Sequence, residues 1–263
     1  MKNTMKAVLA IAMALAMVFA MTACGGKKED SGLTATEGEL HMATNAAFPP
    51  YEMTTDDGGF EGIDVEIATE IAKKLDLELV VDDMEFASVI TSVQSGKSDI
   101  AMAGLTVTEE RKKNLDFSET YSTGVQVVIV PEDSDIKTVD DLAKDKMIGC
   151  QEGTTGYIYC SSSPEDGGYG EDHVTAYTNG ATAVQALLSK KVDAVVIDSN
   201  PAKEFVKANK GLKILKTEYV KEDYAIGINK DNKELYEAVN NALKELQEDG
   251  TVDKIVNKYI KAE

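Results

Sequence analysis

The stretch Ile100-Ala101-Met102-Ala103-Gly104-Leu105-Thr106-Val107-Thr108-Glu109-Glu110-Arg111 decides the fold class of this chain. It begins as an apolar run typical of a buried strand, turns at a glycine and enters a helix that Thr108 can cap. Gly104 and Thr106 therefore follow a strand directly, and Arg111 lies in the first turn of the next helix. A strand that leads through a polar turn into a helix is the repeating unit of α/β proteins.

The same strand and helix signals recur along the chain from about residue 38. Strands are predicted at 40–44, 77–81, 100–103, 125–130, 147–150, 192–197, 212–215 and 224–228. Helices are predicted at 63–75, 86–94, 139–142, 181–189, 235–246 and 252–259, and others begin near 153 and 201. This alternation predicts parallel sheets, in which ligands collect beyond the carboxyl ends of the strands.

The turn after the 100–103 strand carries groups that suit both ends of an amino acid. The carbonyl of Gly104 and the hydroxyl of Thr106 can accept hydrogen bonds from an ammonium. The guanidinium of Arg111 is a rigid fork that can grip a carboxylate at two points. A threonine-capped helix with an arginine in its first turn is also ordinary structure, so the motif alone leaves both interpretations open.

Three further motifs follow predicted strands. Gly153-Thr154-Thr155-Gly156 offers backbone amides and hydroxyls at a helix start, which is either an anion site or an ordinary cap. Asp198 can neutralise an ammonium or can cap the helix near residue 201. Phe48 and Phe86 lie on the same side as these groups, and either can belong to the core.

The amino terminus carries a targeting signal. Lys2 and Lys6 precede an apolar run at 7–20, which is shorter than the roughly 20 residues that a membrane span needs. The small residues before Cys24 resemble a bacterial lipobox, which implies cleavage after residue 23 and a lipid on Cys24. Residues 24–37 are polar and contain glycine, and we interpret them as a flexible tether.

Charge and composition exclude several classes of function. Loss of residues 1–23 removes two lysines and no acid, so the net charge changes from −19 to −21. Such a protein is not attracted to nucleic acid or to anionic lipid surfaces. His41 and His173 lie near no candidate nucleophile, and no cluster has metal-ligand spacing. The sequence therefore predicts neither an enzyme nor a cofactor, and we expect a monomer.

Seven short motifs, in their order and spacing, resemble the polar amino-acid-binding family of ABC-transporter solute receptors, whose relatives include the histidine- and glutamine-binding proteins. The resemblance runs from about Gly38 to Lys261. The motifs are Phe48-Pro49-Pro50-Tyr51, Phe60-Glu61-Gly62-Ile63-Asp64-Val65, Gly104 to Lys112, Asp116-Phe117-Ser118, Gly153-Thr154-Thr155, Val192-Asp193-Ala194-Val195 and Asp249-Gly250-Thr251.

The resemblance implies a two-lobed fold of the type II periplasmic-binding-protein class, with a ligand cleft between the lobes and two hinge crossings. Lobe 1 is expected at 38–121 and 226–263, lobe 2 at 126–221, and the hinges at 122–125 and 222–225. Closure of the lobes on an L-amino acid, followed by delivery to a membrane permease, is the implied function.

The family also implies roles for individual residues. Arg111 and the amides at Thr155 would hold the ligand carboxylate, while Asp198, Thr106 and the Gly104 carbonyl would hold the ammonium. Phe48 and Phe86 would sandwich the ligand side chain.

One departure from the family bears on the ligand. Many members have an aspartate where this chain has Asn45, and Gln151 on the same side is also neutral. Because neither residue can neutralise a cation, we expect a neutral polar or moderately apolar side chain on the ligand. The sequence does not name the amino acid.

The implied setting is the outer face of the membrane of a Gram-positive-type bacterium, where Cys24 would anchor the protein in the lipid bilayer. Two alternatives use the same lobes. One is a sensor or adhesin, and the other is an enzyme that resembles the cyclohexadienyl dehydratases.

Cys150 and Cys160 remain once Cys24 is assigned to lipidation. An even number of cysteines in an oxidising exterior favours a disulfide, and a strand–turn–helix can bring these two positions together. The alternative is a pair of buried, unbonded thiols.

Overall fold

The computed structural model describes residues 32–216 and 219–260, in which strands and helices alternate. The strands are β1 Glu39–Thr44, β2 Ala47–Phe48, β3 Glu52–Thr54, β4 Phe60–Glu61, β5 Glu78–Asp83, β6 Ile100–Ala101, β7 Leu115–Pro131, β8 Ile148–Gln151, β9 Val174–Tyr177, β10 Ala194–Asp198, β11 Leu212–Ile214 and β12 Val220–Asn229. The α-helices are α1 Ile63–Lys74, α2 Phe86–Gln94, α3 Glu109–Lys112, α4 Thr155–Ser161, α5 Gly180–Leu188, α6 Ser199–Ala208, α7 Lys233–Glu248 and α8 Thr251–Tyr259. Short 3₁₀ turns lie at Val139–Ala143, Pro164–Asp166 and Glu171–His173.

The first sheet group consists of the parallel strands β5, β1 and β6. Side chains of β1 alternate between its two faces, as a pleated strand requires. Leu40 and Met42 pack with the apolar residues of α1, α7 and α8, whereas Ala43 packs with Val89 and Val93 of α2. The first sheet group is thus covered by helices on both faces, as a parallel sheet needs.

The second sheet group consists of β10, β8 and β9, which are also parallel. The neighbouring strand β7 contributes Val127 and Ile129 to a core shared with α5 and α6. Val128 and Val130 of the same strand face the opposite core, which contains Ile148. This strict alternation of buried residues lets one strand serve two apolar layers.

Two long antiparallel strands join the two sheet groups into one nine-stranded sheet. β12 pairs with β6 on one side and with β7 on the other, and β7 then pairs with β10. Within the β7–β12 ladder, Ser122 lies opposite Tyr224 and Gly124 opposite Glu222. The two segments predicted as hinges, 122–125 and 222–225, are therefore paired with each other along these crossing strands.

Most predicted elements are present, and some differ in extent. The 86–94 helix is confirmed with both ends correct, and the 100–103 strand is two residues shorter than predicted. The predicted 125–130 strand is the end of the much longer β7. Strand β9 and the small antiparallel sheet β2–β3–β4 were not predicted.

No helix among the residues that the structure describes is long and apolar enough to cross a membrane. The predicted signal at 1–23, Cys24 and the first part of the tether lie outside the described residues.

Candidate ligand-binding site

One cavity gathers every residue that the sequence assigned to ligand binding. Within its outline, part of which is open to solvent, about 470 Å³ is free of protein atoms. The predicted residues on its wall are Asn45, Phe48, Phe86, Gly104, Thr106, Arg111, Gln151, Thr155 and Asp198. Thr154 of the predicted glycine–threonine motif is also on the wall. Further residues that sequence reasoning missed are Glu52, Ala103, Gln126, Val196, Ile197 and Tyr224.

The cavity forms where strands of both sheet groups end. Asn45 follows β1, while Gln151 and Asp198 are the last residues of β8 and β10. Gly104 and Thr106 come shortly after β6. Ligand sites of open α/β sheets lie at this position, beyond the carboxyl ends of the strands.

Arg111 is held in a fixed orientation at the cavity. Thr108 caps α3 by accepting the Arg111 backbone N–H at 3.1 Å, as the sequence predicted. Nη1 of Arg111 donates to the Thr106 carbonyl at 2.9 Å, and Nη2 donates to the Gly153 carbonyl at 3.1 Å. The guanidinium carbon lies 5.5 Å from the centre of the Phe86 ring. Since a guanidinium has five N–H bonds, the group retains donors for a carboxylate.

Asp198 caps helix α6 and also faces the cavity. The residue can therefore serve both as a helix cap and as a partner for an ammonium. Its Oδ1 accepts the Asn200 backbone N–H at 3.0 Å, and its Oδ2 accepts the Val125 N–H at 2.8 Å. The Tyr224 side chain also hydrogen-bonds to it, and only 1% of Asp198 is exposed. Burial raises the pKa of Asp198 to about 6. A cation placed beside this carboxylate would favour its ionised form.

Gly104 has a backbone conformation that only glycine accommodates here. Its φ is +53°, and a Cβ at this position would lie 2.7 Å from Cε1 of Phe48. Its N–H donates to Oδ2 of Asp64 at 2.9 Å. The Gly104 turn is therefore fixed from behind the cavity by a buried carboxylate.

Thr106 is tied to Glu222, a residue at the crossing strands that the sequence did not single out. The Thr106 hydroxyl donates to Oε2 of Glu222 at 3.1 Å, and Nε2 of Gln126 donates to the same oxygen at 2.9 Å. The other oxygen, Oε1, is buried without a hydrogen-bond partner among the described residues. Because the Thr106 proton points to Glu222, the hydroxyl oxygen stays free to accept from an ammonium.

Two neutral amides meet across the cavity. Nε2 of Gln151 donates to Oδ1 of Asn45 at 2.9 Å and to the Thr178 carbonyl at 3.2 Å. Nδ2 of Asn45 donates to the Met84 carbonyl at 2.8 Å. This part of the wall is polar but carries no charge.

The glycine–threonine loop is an ordinary helix cap and also part of the cavity wall. Thr154 is the N-cap of α4 and accepts the Tyr157 N–H at 3.2 Å. Thr155 is the first residue of the helix and is buried at the wall. Gly153, with φ of +76°, turns its carbonyl toward Arg111.

A glycine inside β7 marked a close approach that the sequence analysis missed. A Cβ at Gly124 would lie 2.3 Å from Oδ2 of Asp198 and 2.4 Å from the Tyr224 hydroxyl. Glycine within a strand often indicates such an approach. The glycine could have indicated that another group packs closely against this strand. It could not have shown that this group is Tyr224.

Cys150 and Cys160 are free thiols in the structure, both buried in one apolar core. This state is the alternative to the predicted disulfide. The proximity of the Cys150 thiol, together with burial, raises the pKa of Cys160. Sγ of Cys150 also donates to the Gly156 carbonyl at 3.7 Å. The pair lies directly behind the α4 loop.

Comparison with known proteins identifies the family of the chain. The model of the bacterial extracellular solute-binding proteins, family 3, matches residues 40–262. The arginine-binding extracellular protein ArtP of Bacillus subtilis (strain 168) is 35% identical over 263 residues, which cover 98% of this chain and all of that protein.

Solved structures show the same similarity. An ancestral arginine-binding protein bound to glutamine has a TM-score of 0.79 and 39% identity, covering 86% of this chain and 100% of its own. An ancestral arginine-binding protein bound to arginine also has a TM-score of 0.79 and is 40% identical, covering 85% of this chain and 98% of its own.

The fold is the two-lobed type II fold of periplasmic binding proteins, as predicted. Each of these relatives is named as a binding protein. The chain belongs to the bacterial extracellular solute-binding proteins, family 3.

Proposed function

We propose that this protein is the extracytoplasmic receptor of an ABC importer and that it binds one L-amino acid in the cavity around Arg111 and Asp198. The observation that carries the proposal is the presence of two opposite, buried charges on one cavity wall. Arg111 is 6% exposed and Asp198 1% exposed. An amino acid carries a carboxylate and an ammonium, and burying both requires a charged partner for each.

The hydrogen-bond donors and acceptors at the cavity support an allocation of roles. Arg111 would bind the α-carboxylate with its remaining N–H bonds, aided by the backbone at Thr155. Asp198, the Thr106 hydroxyl and the Gly104 carbonyl would bind the α-ammonium. Phe48 and Phe86 would pack against the ligand side chain.

The ligand side chain is proposed to be neutral and polar or moderately apolar. Asn45 and Gln151 support this proposal, because they face the cavity as amides that can hydrogen-bond but cannot balance a charge. A relative named as an arginine-binding protein has been solved with glutamine, so a neutral ligand is compatible with this kind of site.

Binding would close two lobes over the ligand, with lobe 1 at 38–121 and 226–263, lobe 2 at 126–221, and hinges at 122–125 and 222–225. Three contacts join the two proposed lobes at the cavity. They are Arg111 to Gly153, Asn45 to Gln151, and Nδ2 of Asn200 to the Tyr51 hydroxyl at 3.0 Å. A ligand that bridges the same two surfaces would shift the equilibrium toward the closed form.

A thermal-shift screen of the twenty amino acids, cystine and ornithine tests this function. A ligand at 100 times its Kd stabilises the folded state by about 2.7 kcal/mol. We expect one amino acid or a small group with neutral side chains to raise Tm. The matched control is the Arg111→Lys variant, in which the same compound should lose most of its effect. A screen in which no amino acid raises Tm would refute the proposal.

Anchoring to the membrane through Cys24 belongs to the same proposal and rests on the sequence, since Cys24 lies outside the described residues. Lipid on Cys24, followed by the 24–37 tether, would hold a monomeric receptor near its permease. Cys24→Ser should abolish metabolic labelling with a fatty acid. Persistent labelling of the variant would exclude the anchor and leave the binding proposal intact.

A further inference from the structure

Glu52 is an acidic residue on the cavity wall for which the proposed binding has no use. Its side chain is 0% exposed. Among the described residues, no group donates a hydrogen bond to either of its carboxyl oxygens. A buried carboxylate without a donor is costly, by several kcal/mol in order of magnitude. The residue must therefore be satisfied in some other way.

The group that faces Glu52 is another buried acid, Asp64 in the first turn of α1. The two carboxyl groups are within hydrogen-bonding contact of each other. Oδ2 of Asp64 accepts the Gly104 N–H at 2.9 Å and the Tyr121 hydroxyl at 2.8 Å. Oδ1 of Asp64, like both oxygens of Glu52, has no donor among the described residues.

Among the residues that the structure describes, the groups that face this acid pair carry no positive charge. Those that face it are Tyr51, Asp83 on β5 and Tyr121 on β7. Two carboxylates in contact without a cation repel each other strongly in a buried site. One proton between them removes the repulsion and supplies the missing donor, as in other coupled carboxyl pairs.

We propose that Glu52 is a protonated, neutral acid at pH 7 that donates its proton to Oδ1 of Asp64, and that it thereby positions Asp64 against the Gly104 turn. Oδ2 of Asp64 is then the ionised acceptor for Gly104 and Tyr121. As a consequence, Glu52 presents no charge to the cavity although it is acidic. The part of the inference that concerns ligand affinity rests on the proposed function.

The expected titration agrees with this assignment. Burial, followed by the proximity of Asp64, raises the pKa of Glu52 well above its usual value. Burial also raises the pKa of Asp64, to about 6, although its hydrogen bonds oppose that shift. Both directions favour a proton shared by the pair over two ionised carboxylates.

Loss of the proton would affect the proposed ammonium site through Gly104. Two adjacent negative charges would push Asp64 away from Glu52 and disturb its bond to the Gly104 N–H. Since the Gly104 carbonyl belongs to the same strained turn, its direction would change as well. Glu52 is thus a positioning residue, which acts on the ligand only through Asp64 and Gly104.

The first test needs no ligand and compares the stability of the wild type with that of Glu52→Gln as a function of pH. A raised pKa in the folded state gives stability that is complete below the unfolded pKa of about 4.3 and declines as pH rises toward the folded pKa. Glutamine keeps an N–H donor toward Asp64 at every pH and does not titrate. We therefore expect the Tm of E52Q to exceed that of the wild type, by a margin that grows from pH 4 to pH 8.

The matched control is Asp99→Asn. Asp99 is also buried, but unlike Glu52 it receives a hydrogen bond on each carboxyl oxygen. Both oxygens of Asp99 accept backbone N–H groups, from Ala35 at 2.7 Å and from His41 at 2.8 Å. The amide removes one of these acceptors, so D99N should lower Tm. An E52Q protein that is less stable than the wild type, that fails to fold, or whose advantage does not grow with pH would overturn the proposal.

Infrared spectroscopy and ligand affinity provide the second test. The difference spectrum of the wild type minus E52Q at pH 7 should contain the carbonyl band of a protonated carboxylic acid, and absence of this band would refute the assignment. For an amino acid identified in the screen, the rise of Kd toward alkaline pH should be steeper in the wild type than in E52Q, since loss of the ligand's ammonium proton weakens binding in both. If the Tm difference grows with pH and the carbonyl band is present, but no amino acid binds, the proton shared by Glu52 and Asp64 is supported and the proposed function is refuted.

Discussion

Nη2 of Arg111 lies 3.1 Å from the carbonyl oxygen of Gly153, which connects helix α3 to the loop before helix α4. This bond occupies one N–H of the guanidinium, and a second is directed at the Thr106 carbonyl. The Thr106 bond orients the charge from within the proposed lobe 1, and the Gly153 bond reaches the proposed lobe 2. A preorganised cation loses less conformational entropy when a carboxylate arrives.

Replacement of Arg111 by lysine should weaken amino-acid binding while the protein still folds. Lysine keeps the charge but loses the planar fork that bonds to Thr106, Gly153 and a carboxylate together. We expect a loss of about 2–5 kcal/mol in binding free energy, the range for breaking a desolvated charge pair. Isothermal titration calorimetry measures the loss.

Lys112→Met is the control for this measurement. Lys112 follows Arg111 on the same helix, but its ammonium bonds to the exposed Glu109 at 2.8 Å. The control should bind as the wild type does. Equal affinities for R111K and the wild type would show that Arg111 does not hold the carboxylate.

Asn45→Asp should shift ligand preference toward cationic amino acids. The aspartate would retain an acceptor for Gln151 and would add a negative charge to a neutral part of the wall. We expect the ratio of the Kd for glutamine to the Kd for arginine to rise at least about tenfold, which corresponds to about 1.4 kcal/mol. Competition experiments with both ligands measure this ratio.

A charge-matched control for this variant is Asn240→Asp. Asn240 lies on α7, where its Oδ1 accepts the Glu119 N–H at 2.8 Å, and it is not on the cavity wall. An aspartate there changes the net charge equally, so it separates the local effect from the global one. A ratio that moves as much in N240D as in N45D would contradict a specific role for Asn45.

The site was largely predictable because its residues follow one rule. Asn45, Gly104, Gln151 and Asp198 each stand at or just after the end of a strand, and these ends meet at one cavity. Chain order alone places such residues together once the sheet is parallel. The sequence could therefore assemble the wall without any contact information.

Two of the missed residues do not follow that rule. Tyr224 lies within the crossing strand β12, and Glu52 lies in the small sheet, so only tertiary packing brings them to the cavity. The start of β7 was missed for a related reason. Residues 115–124 mix Asp116, Ser118 and Glu119 with apolar residues, and local pattern does not indicate a strand whose pairing with β12 is long-range.

Cys150 and Cys160 are expected to form a disulfide when the protein is exported into an oxidising environment. The two thiols are buried in one core, where the Cys150 thiol is near enough to raise the pKa of Cys160, so little movement is required. The loop between them is short, and the entropy model gives a stabilisation of about 2–3 kcal/mol. Thiol titration of the exported protein, unfolded without reductant, should detect no free thiol. Two free thiols would show that the pair stays reduced, as in the structure.

Amino-acid binding should become stronger as pH rises from 5 to 7, because the carboxyl group of Asp198 ionises in this range. Burial raises the pKa of Asp198 to about 6. The stability that this group contributes is therefore complete below the unfolded pKa of about 3.9 and is lost as pH rises toward 6. A bound ammonium favours the ionised carboxylate and lowers that pKa, so binding must release a proton near pH 6. Linkage then makes Kd at pH 5 about tenfold higher than at pH 7.

Calorimetry in buffers of different ionisation enthalpy measures both the proton release and Kd for the Asp198 prediction. Asp198→Asn keeps an acceptor for the Asn200 N–H that caps α6, but it has no charge to titrate. This variant should bind more weakly at pH 7, and its Kd should not change between pH 5 and pH 7. Asp249→Asn, on an exposed carboxylate that caps the start of α8, should keep the pH dependence of the wild type. If D198N also retained that dependence, the titrating group would be another acid, and Asp198 would not be the partner of the ligand ammonium.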